Sequence, residues 1–267
     1  MPTPHSTETL LIEGPDALAF AHAQFSSDVQ SLAIGAWQFS AWLNAQGRVR
    51  VLFHLVRLDE QRLLLLLRGG EANAMCEALR RYVFRSRLAI TTAPWHVPST
   101  DAAHPLHETR IAPDGIVLGC GTHGLRIAAH GESDAQWRLP QLQLGWPWLP
   151  ASTLDDLLPP TLSLHRLHAV AIDKGCYPGQ EIVARLHWRG GNKRHLCNVR
   201  LSRDAASGTP LHRDGHDVGV LLDAIAHDNH IEALAVVGDN IASAHAGDVA
   251  LQLDDNLALH VQRRWES

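Results

Sequence analysis

The chain has 267 residues, of which 45% are hydrophobic and 19% charged. That composition excludes a disordered, collagenous or coiled-coil chain, and the length suits one large domain or two to three small ones. The formal net charge is −5, which argues against nucleic-acid binding by bulk charge.

No basic stretch precedes the first apolar residues, so a secretory signal is not expected. The leucine run Leu63–Leu67 is far too short to span a bilayer. The four cysteines, Cys76, Cys120, Cys176 and Cys197, form no C-x-x-C pair. Free thiols in a chain of this size suit a soluble cytoplasmic protein.

In chain order, Thr9–Ile12 is a short apolar run that stops at Gly14. Pro15-Asp16 then opens a helix with Leu18, Phe20, Ala21 and Phe25 at helical spacing. Trp37–Leu43 and Val49–Leu58 read as strands joined by the turn Asn44-Ala45-Gln46-Gly47, and Arg62–Leu67 as a third strand. Ala72–Tyr82 carries Met75, Leu79 and Tyr82 at helical spacing, and Leu88–Thr92 returns to strand. This order predicts an α+β sandwich, an antiparallel sheet with helices on one face.

From Pro94 the composition shifts to Pro, His, Ser and Thr, which reads as a connection into a second segment. Apolar runs at Val199–Leu201, Val218–Ile225, Ile231–Val237, Val249–Leu253 and Ala258–Val261 follow at intervals of about ten residues, predicting a small C-terminal antiparallel β-barrel.

Gly119-Cys-Gly-Thr-His-Gly124 matches a dinucleotide-binding glycine pattern, but no helix of sufficient length follows before Gly131. A hairpin turn between two strands is the better reading. The pairs His104/His107, His165/His168, His212/His216 and His227/His230 have ligand-like spacing but no third ligand, so no metal site is expected.

One segment stands apart. Asp173–His195 carries a charge of +3, leaving −8 on the remainder, and it contains both lysines of the chain, Lys174 and Lys193. Concentrated cations predict a local anion site. Glycines and a proline around Cys176 imply sharp turns, which can expose the thiol, and Lys174 two positions away would favour its thiolate. Cys76, Cys120 and Cys197 read as inert and buried.

Lys174-Gly-Cys-Tyr-Pro-Gly-Gln-Glu181, followed by Val183-Ala-Arg185, resembles the K-G-C-Y-x-G-Q-E signature of the YgfZ family of folate-binding proteins. That family is related to the aminomethyltransferase (T-protein) of the glycine cleavage system. The resemblance extends to Leu11–Ala17, Trp42–Val49, Leu79–Phe84 and Pro159–Leu164. It implies a ring of two α+β segments plus the barrel, divided as a folate-binding segment 1–93, a motif-bearing segment 94–195 and a barrel 196–267. It further implies a tetrahydrofolate-type ligand, with no metal. Support of iron–sulfur enzymes follows from it too, including the tRNA methylthiotransferase.

By the same resemblance, Cys176 is the functional thiol with Lys174 beside it. Folate would meet Trp137, Gln143, Tyr177, Gln180, Glu181, Arg185 and Lys193. Two positions depart from the family pattern: Gln143 stands where a glutamate is frequent, and Thr7 where some members have an aromatic residue. The acid that true T-proteins carry after the central hairpin is replaced here by Val51 and Leu52, which cannot exchange a proton.

Three functions therefore compete. The first is a folate-binding accessory protein for iron–sulfur enzymes and tRNA modification, without conventional turnover. The second is a folate-dependent aminomethyl or one-carbon transferase, which would need Asp173 or Glu181 as its acid. The third is a module that contacts tRNA or a cluster directly through Cys176 and the basic stretch to His195.

Overall fold

Five consecutive leucines, Leu63 to Leu67, are all buried, because the strand they form is covered on both faces. The computed structural model describes residues 7–112, 114–243 and 250–266. Its first part contains β1 (Thr9–Glu13), α1 (Ala17–Gln24), β2 (Trp37–Leu43), β3 (Val49–Arg57), β4 (Arg62–Leu67), α2 (Ala72–Arg80) and β5 (Ala89–Ala93). The five strands form one antiparallel sheet in the order β2-β3-β4-β1-β5.

Leu63, Leu65 and Leu67 join Phe20 and Ala21 of α1 and Met75 and Leu79 of α2 in one core. Leu64 and Leu66 point into a second core with Trp37, Phe39 and Leu52. Both helices thus cover one face, as the sequence predicts. A strand apolar at every position is what burial on both sides demands, and each fully buried leucine contributes on the order of 1.5–3 kcal/mol. Tyr82 differs from the expectation: the helix ends at Arg80, and the ring is exposed.

The stretch after Pro94 holds more order than its composition suggests. Strands β6 (Val97–Asp101), β7 (Thr109–Ala112), β8 (Gly115–Gly119) and β9 (Gly124–Ala128) form a four-stranded antiparallel sheet, β6-β9-β8-β7. Pro98 sits in β6, an edge strand, where its missing N–H does no harm. The glycine pattern is the β8–β9 hairpin turn, with Gly119 paired to Gly124. Trp37 ties the first two sheets together, its indole N–H donating to the Gly119 carbonyl at 2.9 Å.

Next come α3 (Arg138–Gln143), α4 (Gln180–Arg189), β10 (Arg194–Leu201), β11 (Pro210–Arg213), β12 (His216–His227), β13 (His230–Gly238), α5 (Asp239–Ala242), β14 (Leu251–Gln252) and β15 (Ala258–Arg264). The last six strands form an antiparallel, barrel-like sheet in the order β11-β12-β13-β10-β15-β14. Val249, at the start of one expected run, lies outside the described residues. One face of this sheet encloses Cys197, Val199, Leu221 and Leu259. Leu196, Leu222, Leu234 and Val236 on the other face enter the core shared with the first two sheets.

Candidate functional site

The cysteine motif is a turn locked at almost every position except the cysteine. The Lys174 ammonium donates to three carbonyls, those of His22 (2.6 Å), Phe25 (2.5 Å) and Ser27 (2.7 Å). Two of these are end carbonyls of α1, which lack helical partners and favour a cation. Burial lowers the Lys174 pKa to about 8, with Asp28 opposing, so the charge is largely kept at neutral pH. Lys174 also lies over the Tyr177 ring at 4.9 Å. It is therefore a positioning residue whose protons are already committed, rather than a cation standing free for the thiol.

Tyr177 is buried, donates its hydroxyl to the Ala171 carbonyl at 3.0 Å, and has its pKa pushed up by burial. The Gln180 amide donates to the Lys174 carbonyl at 3.1 Å. Gly179 has φ +79°, and a Cβ there would meet the Asn44 carbonyl oxygen at 2.5 Å and Gly47 Cα at 2.7 Å. Only glycine allows the β2–β3 hairpin turn and the start of α4 to approach so closely. Cys176 is exposed, whereas Cys76, Cys120 and Cys197 are buried. Burial raises the thiols of Cys120 and Cys197 to about 12, which keeps them protonated and unreactive.

Glu181 is exposed in the first turn of α4, where a carboxylate complements the helix dipole. Arg185 and Lys193 are also exposed. Among the described residues neither has an ion-pair partner.

Trp137 lies in a different neighbourhood. It is 2% exposed, donates its indole N–H to the Asp134 carbonyl, and packs against Trp148 with ring centroids 5.4 Å apart and planes tilted by 48°. It makes no hydrogen bond or ring contact with a motif residue among the described residues. Gln143, at the end of α3, is exposed, and Thr7 is buried with its hydroxyl bonded to the His96 carbonyl.

Around Trp148 the structure assembles a cluster that sequence reasoning missed. Arg68, 1% exposed, spreads its guanidinium over Trp148 at 4.9 Å. It donates to the carbonyls of Pro147 (2.9 Å) and Trp146 (2.9 Å) and to the Gln141 side-chain oxygen (2.6 Å). Burial lowers its pKa to about 9. His54 is fully buried among the rings of Trp37 (4.7 Å), Phe39 (4.7 Å) and Trp146 (6.4 Å), and neither ring nitrogen has a hydrogen-bond partner. Burial, reinforced by Arg68, His107 and His123, holds its pKa well below the usual histidine value. The available signals were an arginine closing a leucine run and a histidine within an apolar strand.

For a folate ligand the interior fits in part. The orphaned His54 nitrogens leave hydrogen-bonding capacity unmet amid aromatic rings, but His54 is fully buried and Trp137 presents no open ring face. Val51 and Leu52 are both buried and apolar. Among the described residues, no group of three or more His, Cys, Asp or Glu side chains is placed to hold a metal ion, and no helix is long and apolar enough to cross a membrane.

Comparison with known proteins places this geometry. The chain is 26% identical over 227 residues to the tRNA-modifying protein YgfZ of Edwardsiella ictaluri, covering 72% of this chain and 68% of that protein. This chain resembles the YgfZ proteins. The YgfZ of Escherichia fergusonii is 30% identical over 167 residues, spanning 60% of this chain but 47% of its own length. An uncharacterized protein of Haemophilus influenzae is 25% identical over 244 residues, covering 87% of this chain and 86% of its own. Among solved structures, the glycine cleavage system aminomethyltransferase T of Bartonella henselae matches with a TM-score of 0.71 at 17% identity, covering 96% of this chain and 83% of that one. The chain therefore has the aminomethyltransferase fold together with YgfZ-like sequence. No family model matches it.

Proposed function

We propose that this protein is a cytoplasmic, folate-binding accessory factor for tRNA modification, acting on iron–sulfur enzymes such as the tRNA methylthiotransferase. The observation that carries the reading is the motif turn. Lys174, Tyr177, Gly179 and Gln180 are each spent on fixing the backbone, and the side chain they present is the exposed thiol of Cys176. A turn built this way suits a thiol that meets a partner from solvent, by redox exchange or transient cluster contact.

Folate enters through the resemblance. Its planar head would find hydrogen-bonding capacity at His54, and Trp137 would act through Trp148 and the Arg68 cluster. The three-part division 1–93, 94–195 and 196–267 belongs to the same proposal. A tetrahydrofolate titration of wild type, Trp137→Ala and His54→Leu tests this part: weakened binding in both variants supports it, and equal affinity for all three removes it.

The transferase reading draws support from the aminomethyltransferase fold. It is disfavoured at Val51 and Leu52, because apolar side chains cannot supply the acid. Gene deletion followed by restoration with wild type or Cys176→Ala, with methylthiolated tRNA quantified by mass spectrometry, decides the central claim. The accessory reading expects loss on deletion and rescue by wild type alone. Unchanged modification on deletion would sink it.

A further inference from the structure

We infer that the outer face of α4 and the groove beside it form a binding surface for single-stranded RNA. The inference rests on the tRNA-modification reading and names the macromolecule that would approach Cys176. Arg185, Trp188 and Arg189 recur at i, i+3 and i+4 on α4 and so share one helix face. The side of α4 centred on Val183 packs inward, with Ile182 and Leu186 part-buried at its border with the arginines. Val183 is fully buried, and Ile182 is near enough that a Cβ on Gly47 would lie 3.0 Å from it.

Trp188 is 76% exposed, a large apolar ring left in water. The His187 ring meets it edge-on at 4.9 Å, and the His187 ring centroid in turn lies 5.1 Å from that of the part-buried His165. Gly190 and Gly191, with φ of +67° and +100°, then turn the chain so that Lys193 follows. Beside the helix is a groove of about 340 Å³, lined by Arg48, Thr161, Leu186, Asn192, Lys193 and Arg194 among others.

The opposing charges are few. Arg48 is bonded to Asp156, and Arg194 to Asp217 at 2.9 Å. Glu181 is the one acid on α4. Among the described residues Arg185, Arg189 and Lys193 have no ion-pair partner, so two unpaired arginines share the helix face with one exposed indole and Lys193 lines the adjoining groove, on a chain whose net charge is −5. A phosphodiester strand complements this pattern, since its phosphates take spaced cations and its bases offer π-faces to an aromatic platform. An acidic protein would meet the charges but leave the indole without a stacking partner.

The test uses the full-length protein and a fluorescently labelled oligouridine, followed by anisotropy over a salt series. Wild type should bind with a slope of log K against log salt of about −2, as three phosphate contacts on a single strand require. Arg185→Ala/Arg189→Ala/Lys193→Ala should lose that slope and bind at least tenfold more weakly. Trp188→Ala should bind about tenfold more weakly with its slope retained. Arg85→Ala, an exposed cation outside the face, should match wild type, and thermal melts should show every variant folded.

No binding by wild type, or equal binding by the triple variant, overturns the inference. So does competition by polyaspartate with no effect of Trp188→Ala, which would mark an acidic-protein surface. Displacement of the RNA by a folyl-polyglutamate, again without a Trp188 effect, would give the cations to the folate tail and overturns it as well. RNA binding that fails while tRNA methylthiolation still depends on Cys176 removes this inference alone. Intact RNA binding with no dependence on Cys176 would instead remove the accessory reading.

Discussion

The Lys174 ammonium donates to the Phe25 carbonyl at 2.5 Å, joining two residues far apart in sequence and fastening the cysteine turn to the end of the first helix. Replacing Lys174 with alanine leaves this carbonyl and those of His22 and Ser27 without their donor. The expected cost is about 2–3 kcal/mol, read as a lower Tm. The Cys176 turn should loosen at the same time, so backbone amides of residues 174–180 should exchange faster with solvent. A Tm and exchange pattern equal to wild type would show that the three bonds do not hold the turn.

Gly179 and Gly190 separate a steric requirement from a conformational one. Both have positive φ, +79° and +67°. A Cβ on Gly179 would collide with the backbone of Asn44 and Gly47, whereas nothing lies within 4 Å of a Cβ on Gly190. Gly179→Ala should therefore cost about 3 kcal/mol, and Gly190→Ala about 1 kcal/mol. Urea denaturation of the two variants checks the order, and equal losses would contradict the close approach of the hairpin turn to α4.

His54 should make the protein sensitive to acid. Its folded pKa is held below the ordinary 6.5. Below that pH the unfolded chain binds a proton that the folded chain refuses. The stability is thus present above about pH 6.5 and is lost as the pH falls further. His54→Leu should flatten part of this loss, the remainder coming from His22, His107, His123 and His165, whose pKa values burial also lowers. It should also raise the Tm, by about 1 kcal/mol of stability, because two buried unpartnered nitrogens disappear. Melts at pH 7.5 and 5.5 provide the comparison. A His54→Leu variant less stable than wild type at both would mean that the imidazole is satisfied in solution.

Thiol titration of the native protein should find one accessible cysteine. Cys176 is exposed, and the other three are buried. One equivalent should react rapidly with a disulfide reagent in wild type and none in Cys176→Ser. Three further equivalents should appear on unfolding. Fast reaction of a second thiol in the native state would mean that one of the three is reached by local opening.

Much of the fold was legible because local patterns and tertiary demands agreed. The strands of the first sheet, both helices on one face and the run spacing of the C-terminal sheet follow from periodicity alone. The four-stranded second sheet was partly hidden, because its edge strand β6 carries Pro98 and its short strands resemble loop composition. The motif was legible as a pattern, but the division of labour within it was not. Lys174 reads as a charge beside a thiol until the carbonyls of residues 22, 25 and 27 arrive from the first helix.

The sequence by itself determined which residues are apolar in which rhythm, the concentration of cations between residues 173 and 195, and the resemblance carried by Lys174–Glu181. Only the tertiary structure decided that Lys174 is committed to three carbonyls, that Trp137 is enclosed, and that Arg68 and His54 lie in a buried aromatic cluster. The reason is physical. Periodicity reports which face of its own element a side chain occupies, whereas exposure, hydrogen-bond partners and desolvation depend on which other elements pack against that face.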